Sequence, residues 1–109
     1  MPGRLEVFDP ALCCATGVCG PTTDPDLARF AGDLARLRRQ DVAIERHNLA
    51  QEPGAFADHP AVRAELEKAG IACLPVVLAD GRVLATGRYP SRVELFAAFG
   101  LPDPTVARA

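Results

Sequence analysis

The sequence predicts a small α/β domain, with elements in the order β-α-β-α-β-β-α and a mixed four-stranded sheet flanked by helices. Three observations carry that prediction. Two stretches of alternating polarity, Leu5–Phe8 and Val42–Glu45, bracket an apolar stripe at helical spacing. Two short apolar runs flank Asp80-Gly81, the dipeptide of a tight hairpin. The chain has 109 residues, 49% of them apolar and 24% charged, which is enough for one core and not for two.

Each element has a local reason. Leu5 and Val7 alternate with Glu6 and Phe8, and Asp9-Pro10 ends this first strand. Residues 11–23 read as a loop rich in Cys, Gly, Thr and Pro. Asp24 is placed to cap a helix whose first residue is Pro25. Leu27, Phe30, Leu34 and Leu37 then form one buried stripe. Asp24 and Asp26 lie early in this helix and Arg36, Arg38 and Arg39 late, matching the helix dipole. The second strand, Val42 to about Asn48, returns parallel to the first through a crossover. A second helix is expected over Pro60–Ala69, with Val62, Leu66 and Ala69 inward and Gly70 as its stop. Val76–Ala79 and Arg82–Ala85 form the hairpin, with a type I′ turn at Asp80-Gly81. Ser91 and Glu94 form a capping box for the last helix, which presents Leu95, Phe96 and Phe99 to the core. Gly100 ends that helix, and Leu101 is expected to pack back on Phe96. The order as a whole predicts the thioredoxin-like fold, in which a cis-proline precedes the third strand, the position of Pro75. Residues 1–101 are expected to form the domain, and 102–109, with two prolines, a frayed tail.

Composition narrows the function. No apolar run approaches the ~18 residues of a membrane span. Met1–Val7 lacks the apolar core of a secretory leader, so a reducing, cytoplasmic compartment is expected. The net charge of −2 argues against broad, charge-driven nucleic-acid binding. Four cysteines remain, Cys13, Cys14, Cys19 and Cys73, and the first three lie within seven residues. In such a compartment cysteines serve metal binding or catalysis more often than structural disulfides.

The loop reads Cys13-Cys14-Ala15-Thr16-Gly17-Val18-Cys19-Gly20. A thioredoxin- or glutaredoxin-like thiol oxidoreductase would carry Cys-x-x-Cys, so that the second thiol resolves a mixed disulfide. That spacing is absent, and the oxidoreductase stays as the alternative reading. Structural zinc wants four ligands. Cys73 lies 54 residues beyond Cys19, and neither His47 nor His59 has a ligand-like spacing to the loop. Zinc is therefore left open but not favoured. Three thiolates suit a soft, pyramidal, three-coordinate ion such as trivalent arsenic or antimony, whose lone pair fills the fourth direction. Gly17 and Gly20 let three sulfurs converge, and the following helix N-terminus favours thiolates. Cys73 lies in the apolar stretch Ile71–Leu74 and reads as core.

These residues resemble the ArsD family of arsenical-resistance metallochaperones over nearly the whole chain. The strongest match is Val7-Phe8-Asp9-Pro10-Ala11-Leu12-Cys13-Cys14-Ala15-Thr16-Gly17-Val18-Cys19-Gly20. Further matches are Ile44–Gln51, Leu74-Pro75 leading to Asp80-Gly81, and Gly87–Pro90. The resemblance implies a cytoplasmic protein, not an enzyme and with no resident cofactor. It would bind As(III) or Sb(III) as cargo through Cys13, Cys14 and Cys19. It would receive the metalloid from glutathione and pass it to the ArsA ATPase of an arsenite efflux pump. It further implies a homodimer and weak, metalloid-released repression of its own operon through operator DNA. The C-terminal cysteine pairs of some relatives are missing, so a second metalloid site is not expected. Arg46, His47 and Asn48, with Gly87, Arg88 and Tyr89, are expected at the same sheet edge as the cysteine loop. There they either bind a glutathione carboxylate or an acidic partner, or form a solvated rim. Arg36, Arg38 and Arg39 read as a solvated helix end rather than a DNA contact, and with no helix-turn-helix or basic surface visible in the sequence, repression rests on the resemblance alone.

Overall fold

The computed structural model describes residues 3–11 and 25–101. The strands are β1 (Arg4–Asp9), β2 (Ala43–Asn48), β3 (Val76–Ala79) and β4 (Arg82–Thr86). The helices are α1 (Pro25–Arg39), α2 (Pro53–Asp58), α3 (Pro60–Ala69) and α4 (Arg92–Ala98), with a 3₁₀ turn over Gly70–Cys73. The sheet order is β2-β1-β3-β4. β1 pairs parallel with β2 and antiparallel with β3, and β3 pairs antiparallel with β4. This is the mixed, thioredoxin-like sheet that the element order predicts, with the Leu74–Pro75 bond cis.

The sheet is covered on both faces because its two central strands bury side chains on both. Leu5 and Val7 of β1 join Phe30, Leu34 and Leu37 of α1 and Leu95 and Phe96 of α4 on one side. Phe8 joins Phe56, Val62, Cys73 and Leu74 on the other, under α2 and α3. Two apolar faces on one strand explain why the alternation in β1 is imperfect.

The short-range devices form as read. Asp80 and Gly81 both have positive φ, 51° and 83°, as a type I′ turn requires. Ser91 Oγ accepts from the Glu94 amide, and Glu94 Oε1 accepts from the Ser91 amide at 2.8 Å. At the end of α4 the Leu101 amide donates to Phe96 and the Gly100 amide to Ala97, a Schellman stop.

Three details differ from the sequence reading. Helix α2 was not expected: with six residues and one buried anchor, Phe56, it is too short to show a period. Ala69 is exposed rather than inward, and Leu66 is only half-buried, because α3 leans on the core through its first turn at Val62. In the hairpin the register passes from Val77–Ala85 to Leu78–Val83, so Leu84 is an extra residue in β4. Pro102–Ala109 and the Asp24 cap lie outside the described residues. Among the described residues no helix is long and apolar enough to cross a membrane.

Candidate functional site

Cys13, Cys14 and Cys19 lie outside the described residues, and the structure defines the frame from which their loop departs. Because β1, β2 and β4 run the same way, Asp9, Asn48 and Thr86 end at one sheet edge, where β3 begins at Val76. Cys13 follows Asp9 by four residues, so its Cα lies within about 14 Å of that of Asp9 whatever path the chain takes.

Asp9 is the keystone of this edge. As the third residue of the Leu5, Val7, Asp9 series it faces inward, and its side chain is fully buried. A buried carboxylate needs charge and hydrogen-bond compensation, and Asp9 has both. Arg46 Nε donates to Oδ2 at 2.6 Å and Nη2 to Oδ1 at 3.3 Å. The Tyr89 hydroxyl donates to Oδ1 at 2.7 Å. Beneath them lies the Phe30 ring, 5.3 Å from the Arg46 guanidinium carbon and 4.7 Å from the Tyr89 ring centre. Burial, and then the Asp9 carboxylate, push the Tyr89 phenol well above its ordinary range, so it remains a hydrogen-bond donor. Asp9 thus ties β1 to β2 and to the loop after β4, and its partners rest on α1 through Phe30, at the strand end from which the cysteine loop departs.

The other edge residues are placed where expected, on different faces of the sheet and each with partners inside the chain. Arg46 and His47 point to opposite faces of β2, as neighbours on a strand must. His47 stacks on Phe8, with ring centres 5.0 Å apart, and its Nδ1 lies 3.2 Å from Glu52 Oε1. Asn48 is buried and builds the turn into α2, accepting from the Ala50 amide through its side chain at 2.9 Å. Arg88 is held by Glu94 through two hydrogen bonds of 2.8 and 2.7 Å. The Gly87 amide donates to the Cys73 and Pro75 carbonyls at 2.7 and 3.0 Å, and its φ of 72° brings the backbone close to Ala72. The cations offered for a carboxylate ligand are therefore committed to carboxylates of the chain itself, Arg46 to Asp9 and Arg88 to Glu94.

Cys73 is buried against Phe8, Phe56 and Val62, as its apolar surroundings predict. Burial, helped by the charge of Glu65, raises its thiol pKa, which disfavours the thiolate that a soft ion requires. No group of three His, Cys, Asp or Glu side chains among the described residues is placed to hold a metal ion.

Two buried acids are not singled out by the sequence. Asp9 reads in the sequence as a strand terminator, although its place in the period-two series signals an inward carboxylate. Asp33 was not singled out. It is fully buried and gathers Arg29 at 2.7 Å and Arg92 at 2.9 Å, with Arg36 at 3.5 Å. The end of α1 is thus only partly the solvated tail expected: Arg36 turns back to Asp33, while Arg38 and Arg39 are exposed.

Comparison with known proteins gives this frame a family. The model of the family described as "Arsenical resistance operon protein ArsD" matches residues 3–108. Two Escherichia coli proteins, each described as "Arsenical resistance operon trans-acting repressor ArsD", are 48% identical over 105 residues. Each alignment covers 96% of this chain and 88% of the relative. The crystal structure of an arsenical resistance operon trans-acting repressor from Bacteroides vulgatus superposes with a TM-score of 0.85 at 35% identity. That match covers 91% of this chain and 93% of the other. With its sequence matched nearly end to end and its sheet shared with a solved member, the chain belongs to the ArsD family of arsenical resistance operon proteins.

Proposed function

We propose that the protein is a cytoplasmic carrier of trivalent arsenic or antimony that binds its cargo through Cys13, Cys14 and Cys19. In this reading it hands the metalloid to an ArsA-type efflux ATPase and represses its own operon weakly until metalloid binds. The observation that carries the reading is the Cys-Cys-x4-Cys spacing in a chain of the arsenical-resistance family. Arsenous acid exchanges three As–O bonds for three As–S bonds, each thiol giving its proton to a departing hydroxide, so that three waters leave and no oxidant is needed. The pyramidal product keeps one side open, where an acceptor thiolate can enter and displace one donor sulfur at a time. Glutathione suits delivery to the loop by the same exchange. Cys73 takes no part, being buried and protonated. The Asp9 cluster holds the strand end from which the loop leaves.

The test is metalloid titration of the full chain, with sulfur coordination read by X-ray absorption. One As(III) per protomer with three sulfurs is expected. Serine at position 13, 14 or 19 should each abolish tight binding, and Cys73→Ser should retain it. Tight binding that survives Cys14→Ser sinks the three-thiolate site. Transfer to the ATPase should persist in the presence of a dilute dithiol trap, and interception of nearly all the metalloid would show release to solvent instead.

A further inference from the structure

We propose that the α1–α4 face of the sheet is the surface that meets the phosphate backbone of duplex DNA, an inference that rests on the repressor part of the function proposed above. The chain is acidic as a whole, but its charge is unevenly layered. On one side of the sheet, α1 and α4 carry Arg29, Arg36, Arg38, Arg39 and Arg92 against Asp26, Asp33 and Glu94. On the other, α2 and α3 carry Asp58, Glu65 and Glu67 against Arg63 and Lys68. Glu94 is already paired with Arg88, which leaves Asp26 in the first turn of α1 and Asp33, and Asp33 is shared by three arginines.

That sharing is the central observation. The buried Asp33 carboxylate offsets one of three positive charges and fixes the geometry of all three. Arg29 Nη1 donates to Oδ2 and also to the Pro90 carbonyl at 3.2 Å, while Arg92 Nε donates to Oδ1. Arg36 lies back over Gly32 toward Asp33, since a Cβ on Gly32 would meet its Nη1 at 3.5 Å. The arginine side chains keep 33%, 41% and 24% of their surface exposed for Arg29, Arg36 and Arg92, and each guanidinium has further N–H donors. Arg39 continues the stripe one turn beyond Arg36. By helical rise the stripe from Arg29 to Arg39 spans about 15 Å, and duplex DNA carries one charge per about 1.7 Å of axis, so several phosphates face it at once. Arginines already held in place by a buried acid lose little side-chain freedom on binding, and their forked donors match phosphate oxygens. Phosphate contacts of this kind position the protein on DNA rather than choose the sequence. Helix α1 also starts six residues after Cys19, which gives the cysteine loop a short covalent path to this face.

The experiment measures binding of the full chain, without metalloid, to a fluorescent duplex from the promoter of its own operon between 50 and 200 mM salt. Arg36→Gln and Arg39→Gln should each reduce the slope of log affinity against log salt by about 1 and leave the melting temperature unchanged. The double variant should lose about 2. Arg63→Gln and Lys68→Gln, the same charge change on the opposite face, should leave the slope unchanged. If the α1 variants keep the wild-type slope while the wild type binds, this face is not the contact and repression still stands. If the α3 controls lose as much as the α1 variants, the contact is diffuse and the proposal is wrong. If the wild type binds no duplex at any salt, both the surface and the repressor reading fall, while metalloid capture is unaffected.

Discussion

Asp9 and Asp33 are both completely buried acids, yet they are neutralised in opposite ways. Asp9 has one guanidinium, Arg46, only 9% exposed, and one neutral hydroxyl, Tyr89. Asp33 has three guanidiniums, on side chains that keep 24–41% of their surface in water. A pair with both members buried cannot fall back on solvent when one is removed. A buried acid with exposed partners can, because the freed arginines turn outward. The first arrangement is rigid and charge-balanced and lies at the mouth of the cysteine loop. The second leaves positive charge over and lies on the outer face of a helix pair.

The sharpest way to break this comparison is to remove each acid. Asp9→Ala leaves Arg46 buried without a counter-charge and should cost about 3–5 kcal/mol in urea unfolding. Asp33→Ala should cost less, about 2 kcal/mol, since its partners regain water. Equal losses would show that partner exposure does not govern the difference. Tyr89→Phe keeps the ring over Phe30 and deletes one hydrogen bond to a charged acceptor, with an expected loss of about 1.5 kcal/mol. It should also weaken As(III) binding if the frame orients the loop, whereas a substitution of equal cost on α3 should not.

The smallest effect concerns α4. Arg88, and then the Ser91 amide, hold the Glu94 carboxyl down to about 2 from its ordinary value near 4.5. A depressed folded value stabilises the native state above the unfolded pKa, and this contribution is lost as pH falls toward the folded one. Wild type should therefore exceed Glu94→Gln in stability at neutral pH, and the gap should narrow between about pH 4.5 and 2. Because Glu94 is more than a third exposed, the gap itself is small. Ser91→Ala should cost about 1 kcal/mol through the lost cap, with a weaker pH dependence, since the Ser91 hydroxyl is the least of the groups that lower the Glu94 carboxyl.

Every feature with a short-range cause is legible in the chain itself. The type I′ turn at Asp80-Gly81, the Ser91–Glu94 box, the Gly70 and Gly100 helix stops and the burial of Cys73 follow from a few neighbouring residues. The spacing of Cys13, Cys14 and Cys19 belongs with them, since a motif is written in covalent order. Which charges meet is settled by the packing of distant elements. Asp9 finds Arg46 across 37 positions and Tyr89 across 80, and Asp33 finds Arg92 across 59. Those partners are set by strand register and by the packing of α1 against α4, and nothing local in the chain records them. The same holds for α2, where one phenylalanine carries the packing, and for the roles of Arg46 and Arg88. Each looked free to bind a ligand in the sequence, and folding gave each a carboxylate of its own.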